Sequence, residues 1–167
     1  FSLEETLNGI KGAGYKTVGL SRLERISKDL ELRPDTVDKV FKSVNKSMIE
    51  RDIKLTMYTL YTDLNKSPKE IIEGHIPTLE ALKNIGCSYI KVNGTNKKEL
   101  YSKYYETMKY LADAVQQNKM QLVIKPHGGI TSSGSLCVEA VERVGSENFR
   151  ICYDPANIFY YDGFDPI

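Results

Sequence analysis

The sequence has few cysteines and no excess of either charge. Its three cysteines, Cys87, Cys137 and Cys152, show no Cys-x-x-Cys spacing, which argues against a disulfide framework or a zinc knuckle. Free buried thiols in a reducing compartment, and hence a cytoplasmic protein, are expected instead. The 23 Lys and Arg residues are balanced by 22 Asp and Glu residues, for a net charge of +1. That balance lacks the excess of basic residues that is typical of proteins that bind nucleic acid or an anionic membrane.

Long apolar runs and the common nucleotide-binding motifs are also missing. No apolar stretch approaches the roughly 20 residues that a membrane-spanning helix needs. No GxGxxG follows the first predicted strand, and there is no P-loop. The 167 residues are 41% hydrophobic and 27% charged, so we expect one folded domain over residues 1–167 and no disordered tract.

Both ends of the sequence look as though a longer chain continues beyond them. The capping box Ser2-Leu-Glu-Glu5 predicts a helix that starts directly after Phe1. The last four residues, "FDPI" at 164–167, contain an Asp-Pro pair, which usually begins another helix. We therefore expect an incomplete domain, and a missing signal peptide says nothing about localisation.

Helical and strand-like patterns alternate along the whole chain. Apolar residues at helical spacing predict helices over about 2–12, 34–48, 77–86, 97–118 and 135–145. Short apolar runs predict strands over 15–20, 53–60, 87–94, 120–129 and 149–157. Regular alternation with short connections predicts an α/β fold, with a parallel sheet and helices on its faces. A doubly wound sheet and a (β/α)8 barrel both satisfy this order, and the missing GxGxxG favours the barrel.

Three segments resemble a known family. The stretches "LVIKPHGG" (122–129) and "RVGSENFRICYDPANIFYY" (143–161) are similar to the fifth and sixth strands of the xylose isomerase-like TIM barrels, the superfamily of sugar phosphate isomerases and epimerases and of endonuclease IV. "SLEETLNGIKGAGYKTVGL" (2–20) resembles the first helix and second strand of that family. The resemblance implies a partial (β/α)8 TIM barrel from the first helix to just after the sixth strand, with strands 1, 7 and 8 missing. A complete barrel has about 250 residues.

The resemblance also implies a metal site at the C-terminal ends of the strands. It places Asp154 in the position of the sixth-strand ligand of a divalent cation, Mn²⁺, Mg²⁺, Co²⁺ or Zn²⁺. An Asp-Pro turn or helix cap is the other interpretation of Asp154. Lys125 stands where many relatives have a metal-binding glutamate, and a protonated lysine cannot ligate a cation. Either the site is rebuilt from the remaining groups, or Lys125 supplies the positive charge itself.

Lys125 and His127 are the predicted catalytic residues. A period of two places Val123, Lys125 and His127 on one face of the strand, and polar residues that begin just after an apolar run lie at a barrel mouth. Lys125 would stabilise the negative charge that forms when a proton leaves the carbon beside a sugar carbonyl, and His127 would exchange that proton. A solvated lysine and a loop-capping histidine are the alternatives.

Other polar residues near the strand ends are predicted to contact substrate. Asn93, Asn157 and Tyr160 are the candidate substrate-binding residues. Thr59 and Tyr61 lie at the C-terminal end of a predicted strand and are expected on the same face of the barrel. Tyr161 could form a pocket wall with Tyr160 or simply pack.

Two further residues are assigned structural roles. In the loop 128–135, Ser135 is expected to cap the following helix, in preference to a phosphate site at that helix N-terminus. His75, the second of only two histidines, is expected in a loop or cap.

These features predict a sugar or sugar-phosphate isomerase or epimerase that acts next to a carbonyl with the help of a divalent metal. A keto-sugar lyase of the same fold and a sugar-binding barrel without catalysis are the alternatives. An abasic-site endonuclease needs several histidine ligands for zinc and a basic groove, and two histidines with a net charge of +1 argue against it. The expected partner is a small sugar or sugar phosphate, with no nucleic acid and no membrane; a homo-oligomer is left open.

Overall fold

Parallel strands alternate with helices along the chain. A computed structural model of the protein describes residues 2–21, 23 and 32–163. The helices within these residues are α1 (Leu3–Gly12), α2 (Val37–Ile49), α3 (Pro68–Asn84), α4 (Tyr101–Gln117), α5 (Gly134–Val144) and α6 (Pro155–Asp162), with a 3-10 helix at Lys98–Leu100. The strands are β1 (Thr17–Ser21), β2 (Lys54–Thr59), β3 (Tyr89–Asn93), β4 (Gln121–Lys125) and β5 (Phe149–Ile151), and their order in the sheet is their order in the chain. The predicted α/β alternation is confirmed.

Residues 2 to 5 form the predicted capping box at the start of α1. The Glu5 backbone N–H donates to the Ser2 hydroxyl, and the Ser2 backbone N–H donates to the Glu5 carboxylate. The Asp-Pro pair at 165–166 lies outside the described residues. Among the residues that are described, no helix has the length and apolarity required to span a bilayer.

Helix α3 begins nine residues earlier than predicted, at Pro68 instead of residue 77. Ser67 and Glu70 form a second capping box, in which the Glu70 N–H donates to the Ser67 hydroxyl and Glu70 Oε2 accepts from the Ser67 N–H. Pro68 follows the cap directly, where its missing N–H costs nothing. The prediction that His75 lies in a loop or cap is wrong, because His75 lies inside α3.

The last predicted strand and one predicted helix cap also need correction. Strand β5 ends at Ile151, and Pro155 begins α6, so residues 155–157 are helical rather than extended. Asp154 is the N-cap of α6, and its Oδ1 accepts from the Asn157 N–H at 3.1 Å. Helix α5 is capped by Ser133, not by Ser135 as predicted.

The described chain forms two compact units, and the first comprises Phe1–Thr59 and Gly74–Tyr89. In it β1 and β2 pair in parallel, with a register shift between Val18 and Gly19. Phe41 of α2 meets Tyr58 of β2 edge to face, with ring centroids 5.2 Å apart. Leu7 of α1 is also fully buried. The single domain over residues 1–167 stays a prediction.

The second unit comprises Leu60–Glu73 and Ile90–Ile167. In it β4 and β5 pair in parallel, and α4 and α5 pack against them. Leu122 and Ile124 of β4 are fully buried on one face of the strand, whereas Lys125 is half-buried on the other. In β3, Val92 is likewise buried, and its neighbours Lys91 and Asn93 are half-buried. One face of β3 and β4 therefore supplies the core. The other face carries Lys91 and Asn93 in β3, and the buried Val123 followed by Lys125 in β4.

Candidate active site

A polar cavity of about 530 Å³ lies in the second unit. Its walls come from the segments that follow β2, β3 and β4 and from two tyrosines on helices; the lining residues are Leu60, Tyr61, Thr62, Leu64, Asn93, Gly94, Thr95, Asn96, Tyr104, His127, Gly128, Gly129 and Tyr161. Of the residues predicted from sequence, Asn93, His127, Tyr61 and Tyr161 line this cavity, and Lys125 does not.

Asn93 is the last residue of β3 and presents an unpaired acceptor. Its side-chain Oδ1 is buried and has no hydrogen-bond partner among the described residues. Its backbone carbonyl, in contrast, accepts from the Tyr104 hydroxyl at 3.1 Å. Burial raises the pKa of the Tyr104 phenol, so this hydroxyl stays a donor. A buried acceptor without a donor costs about 1–3 kcal/mol.

The loop after β4 brings His127 to the cavity. The His127 N–H donates to the hydroxyl of Thr131 at 3.1 Å, and that hydroxyl donates to the Gly128 carbonyl at 3.0 Å. Thr131 is fully buried. Gly128 and Gly129 have φ values of 79° and 57°, which only glycine adopts without strain. The position of His127 therefore depends on a turn that the sequence specifies locally.

The loops after β3 and β4 lie directly against each other. The Ile130 N–H donates to the Thr95 carbonyl at 3.1 Å. A Cβ atom on Gly129 would overlap that carbonyl and would come within 2.6 Å of the Asn96 Cα. Glycine at position 129 is therefore required by the close approach as well as by the turn.

Tyr161 of α6 holds the imidazole of His127. Its hydroxyl lies 3.2 Å from His127 Nδ1, and the rings meet edge to face with centroids 5.4 Å apart. Tyr160, the predicted substrate-binding residue, is 78% exposed and does not line the cavity, whereas Tyr161 does. Asn157, another predicted substrate-binding residue, uses its side-chain amide to donate to the Pro126 carbonyl at 2.7 Å. Asn157 therefore fastens α6 to the end of β4.

Lys125 and Asp154 form an ion pair in the second unit. Lys125 Nζ lies 2.8 Å from Asp154 Oδ2, and the side chains are 26% and 25% exposed. The hydrogen bond from Lys125 lowers the pKa of the Asp154 carboxyl, although partial burial opposes it, and the Asn157 N–H lowers it further. The charge of Lys125 is thus already compensated in this structure.

The candidate ligand atoms among the described residues do not fit a divalent cation. One oxygen of Asp154 accepts from the Lys125 ammonium and the other from the Asn157 N–H. An ammonium group at 2.8 Å would repel a cation at the same carboxylate. No three His, Cys, Asp or Glu side chains come together as a metal site within residues 2–21, 23 and 32–163. The metal ligand role of Asp154 stays a prediction.

Lys91 is not among the residues predicted from sequence. It lies on β3 two residues before Asn93, on the same face of the strand, and is half-buried. Burial lowers the pKa of its amine, and the positive charge of Lys125 lowers it further. The alternation in "YIKVN" was the signal that could have placed it beside Asn93.

The sequence profile of the xylose isomerase-like TIM barrel matches residues 8–167. The chain therefore belongs to the xylose isomerase-like TIM barrel family. This confirms the resemblance seen in the strand ends. Among curated proteins, none matches this sequence.

Solved structures share the fold at low sequence identity. The probable 3-DHS dehydratase AsbF of Bacillus anthracis has a TM-score of 0.74 at 15% identity, over 99% of this chain and 62% of that one. A D-psicose 3-epimerase in the presence of D-fructose has a TM-score of 0.72 at 12% identity, over 98% and 62%. A xylose isomerase-like TIM barrel protein from Mycobacterium smegmatis in complex with magnesium has 0.71 at 10%, over 93% and 56%. The chain thus spans about three fifths of the length of these proteins, and five parallel strands alternating with helices match part of their barrel.

Proposed function

We propose that this protein is an isomerase or epimerase that moves a proton on the carbon next to the carbonyl of a sugar or sugar phosphate. The observation that carries the proposal is the unpaired Oδ1 of Asn93 in a polar cavity that His127 also lines. A polyhydroxylated substrate offers the hydroxyl donor that this oxygen lacks. The similarity in fold to a D-psicose 3-epimerase supports the same class of reaction.

His127 is the proposed acid and base. When its Nδ1–H donates to the Tyr161 oxygen, Nε2 carries a lone pair and can take a proton from a carbon acid. After Nε2 has taken the proton, the ring is an imidazolium whose Nδ1–H still donates to the Tyr161 oxygen, and Nε2 can return the proton to the substrate carbon. The 3.2 Å contact thus orients the ring in both halves of the proton transfer.

Lys125 is proposed to stabilise the negative charge that develops on the substrate oxygen. In the structure its ammonium is held by Asp154, so this role requires that Lys125 exchange the carboxylate for the substrate, or act on it electrostatically. No step is assigned to a metal ion, because the carboxylate of Asp154 is occupied by Lys125.

A keto-sugar lyase is the second candidate. The similarity in fold to a dehydratase favours it. Removal of the same proton followed by loss of a neighbouring hydroxyl gives elimination in place of isomerisation, and it needs an acid at the leaving oxygen. His127 would remove the proton in either reaction.

Solvent exchange distinguishes these proposals. The purified protein is incubated in D₂O with D-fructose, D-psicose and their phosphates, and deuterium at the carbon next to the carbonyl is followed by NMR. We expect deuterium uptake with the parent and a fall of about 10²-fold or more with His127→Gln. The matched control is His75→Gln, which changes the other histidine of the sequence, inside α3. It should show the same deuterium uptake as the parent.

Each outcome assigns a function. Exchange accompanied by a new sugar identifies an isomerase or epimerase, and exchange accompanied by an unsaturated product identifies a lyase. Sugar binding by calorimetry without any exchange would overturn the proposal and leave a sugar-binding barrel.

A further inference from the structure

A second, smaller cavity adjoins the first one within the second unit. Its volume is about 200 Å³, and its lining residues are Thr62, Asp63, Leu64, Asn65, Thr95, Lys97 and Leu100. Thr62, Leu64 and Thr95 also line the first cavity. A molecule bound beside His127 can therefore extend along these shared residues into the second cavity.

The second cavity offers both hydrogen-bond donors and acceptors. The Asn65 N–H and side-chain amide donate to Asp63 Oδ1 at 3.1 and 2.9 Å. The Lys97 N–H donates to the Thr95 hydroxyl at 3.2 Å, so this hydroxyl keeps its own proton for another acceptor. Within residues 2–21, 23 and 32–163, neither Asp63 Oδ2 nor the Lys97 ammonium has a hydrogen-bond or ion-pair partner. An acceptor from one loop and a donor from the other are thus available to a ligand.

The chemistry of this lining suits an uncharged polyhydroxylated group. The half-buried Leu64 and Leu100 provide apolar contact for the C–H groups of a sugar ring. Sugar hydroxyls both donate and accept, as do the polar residues around them. A phosphate would be attracted by Lys97 but repelled by the carboxylate of Asp63. Because these two charges offset each other, the cavity has no net attraction for an anion.

We propose that the second cavity is a subsite for a second sugar unit, and that the preferred substrate is a disaccharide or another glycoside of a keto sugar. The reacting keto sugar occupies the first cavity, beside His127. The second sugar unit, attached through an oxygen remote from the carbonyl, occupies the second cavity. This inference rests on the proposed isomerase or epimerase for the reacting end of the substrate, and it selects an uncharged glycoside over a sugar phosphate.

Calorimetric titration tests the subsite without requiring turnover. Isomaltulose, in which a glucose unit is attached to the terminal oxygen of D-fructose remote from the carbonyl, is compared with D-fructose and D-fructose 6-phosphate. We expect isomaltulose to bind at least about tenfold more tightly than D-fructose, because it adds hydrogen bonds in the second cavity. D-Fructose 6-phosphate should gain less than about threefold, because Asp63 opposes the phosphate.

Lys97→Met tests the donor in the subsite. The variant loses the ammonium and keeps the backbone N–H that donates to Thr95, so the ratio of the isomaltulose and D-fructose affinities should fall close to one. The matched control is Lys98→Met, at the next position, which is exposed and lines neither cavity. It should keep the ratio of the parent.

Asp63→Asn tests the selection against an anion. The variant removes the negative charge and keeps an oxygen that can accept from the Asn65 N–H. The affinity for D-fructose 6-phosphate should rise severalfold. Asp113→Asn, at an exposed position of α4, is the matched control and should leave that affinity as in the parent.

The outcomes separate the subsite from the proposed reaction. Equal affinities of the parent for isomaltulose and D-fructose would overturn the subsite, and this comparison needs no variant to fold. Tighter binding of D-fructose 6-phosphate than of isomaltulose would also refute a second sugar unit. Deuterium exchange with equal kcat/KM for D-fructose and isomaltulose would remove the subsite and leave the isomerase standing. Binding of isomaltulose that depends on Lys97, without exchange on any sugar, would support the subsite and refute the isomerase.

Discussion

Lys125 Nζ lies 2.8 Å from Oδ2 of Asp154, so a lysine at the end of β4 holds the residue that caps α6. The ion pair thereby links β4 to α6, which are separated in the chain by α5 and β5. The pair also occupies the carboxylate that the family resemblance assigns to a metal.

This ion pair predicts how stability depends on pH. Because the pKa of Asp154 is lowered in the folded protein, its contribution is complete above the pKa of an unfolded aspartate, about 3.9, and is lost as pH falls through the lower folded value. Asp154→Asn keeps a good helix cap and removes the charge. Urea unfolding should show the parent more stable at pH 7 and the difference shrinking below about pH 4.

Asp113→Asn, at an exposed position of α4, is the matched control and should be nearly neutral at both pH values. Parallel stability curves for the parent and Asp154→Asn down to low pH would show that the pair is not formed in solution.

Replacement of Lys125 by glutamate should change the response to divalent cations. Lys125→Glu places two carboxylates where the parent has an ion pair, and two carboxylates bind hard cations. We expect Mn²⁺ or Mg²⁺ to raise the Tm of Lys125→Glu by several degrees more than that of the parent, as measured by thermal unfolding with and without chelator.

Lys125→Met separates the new carboxylate from the simple loss of the cation, and it should show at most a small metal response. It should also lower kcat/KM by about 10²-fold. Stoichiometric metal in the purified parent that disappears in Asp154→Ala would instead establish Asp154 as a ligand.

Tyr104→Phe should weaken both the fold and the cavity. The variant loses the hydroxyl that donates to the Asn93 carbonyl, and a buried hydrogen bond contributes about 1 kcal/mol. Urea unfolding should show that loss, and substrate should bind more weakly because the end of β3 is less firmly held. Tyr110→Phe, at an exposed position of the same helix, should change neither quantity; equal effects of the two substitutions would contradict the prediction.

Gly129→Ala should disrupt the two loops that line the cavity. The added methyl group meets backbone atoms of Thr95 and Asn96, and the φ of 57° is strained for alanine. We expect a loss of more than 2 kcal/mol in the free energy of unfolding, measured by urea titration. Gly134→Ala places the same methyl group in open space at the start of α5, and it should be neutral or slightly stabilising.

The sequence predicted features that depend on local pattern. The capping box at Ser2 and Glu5, the alternation of strands and helices, and the glycine turn after β4 each require only a few consecutive residues. Ser67-x-x-Glu70 carried the same capping signal, but the polar residues before it suggested a loop, so the start of α3 was misplaced.

The polar pairings of the site could not be predicted in this way. Lys125 pairs with Asp154 and His127 with Tyr161, at separations of 29 and 34 residues, and such contacts depend on how α5 and α6 return along the strands. Tyr160 and Tyr161 are adjacent in sequence, and only the rotation of α6 decides which one reaches the cavity.

The contact of Gly129 with Thr95 and Asn96 restricts how the cavity can be re-engineered. If only the loop after β4 were replaced by a relative's loop, the new loop would contact the unchanged loop after β3, whose backbone fits the original segment. Segments 93–97 and 127–131 should therefore be exchanged together when substrate preference is altered. In libraries that randomise both segments, functional clones should show correlated choices between the two loops.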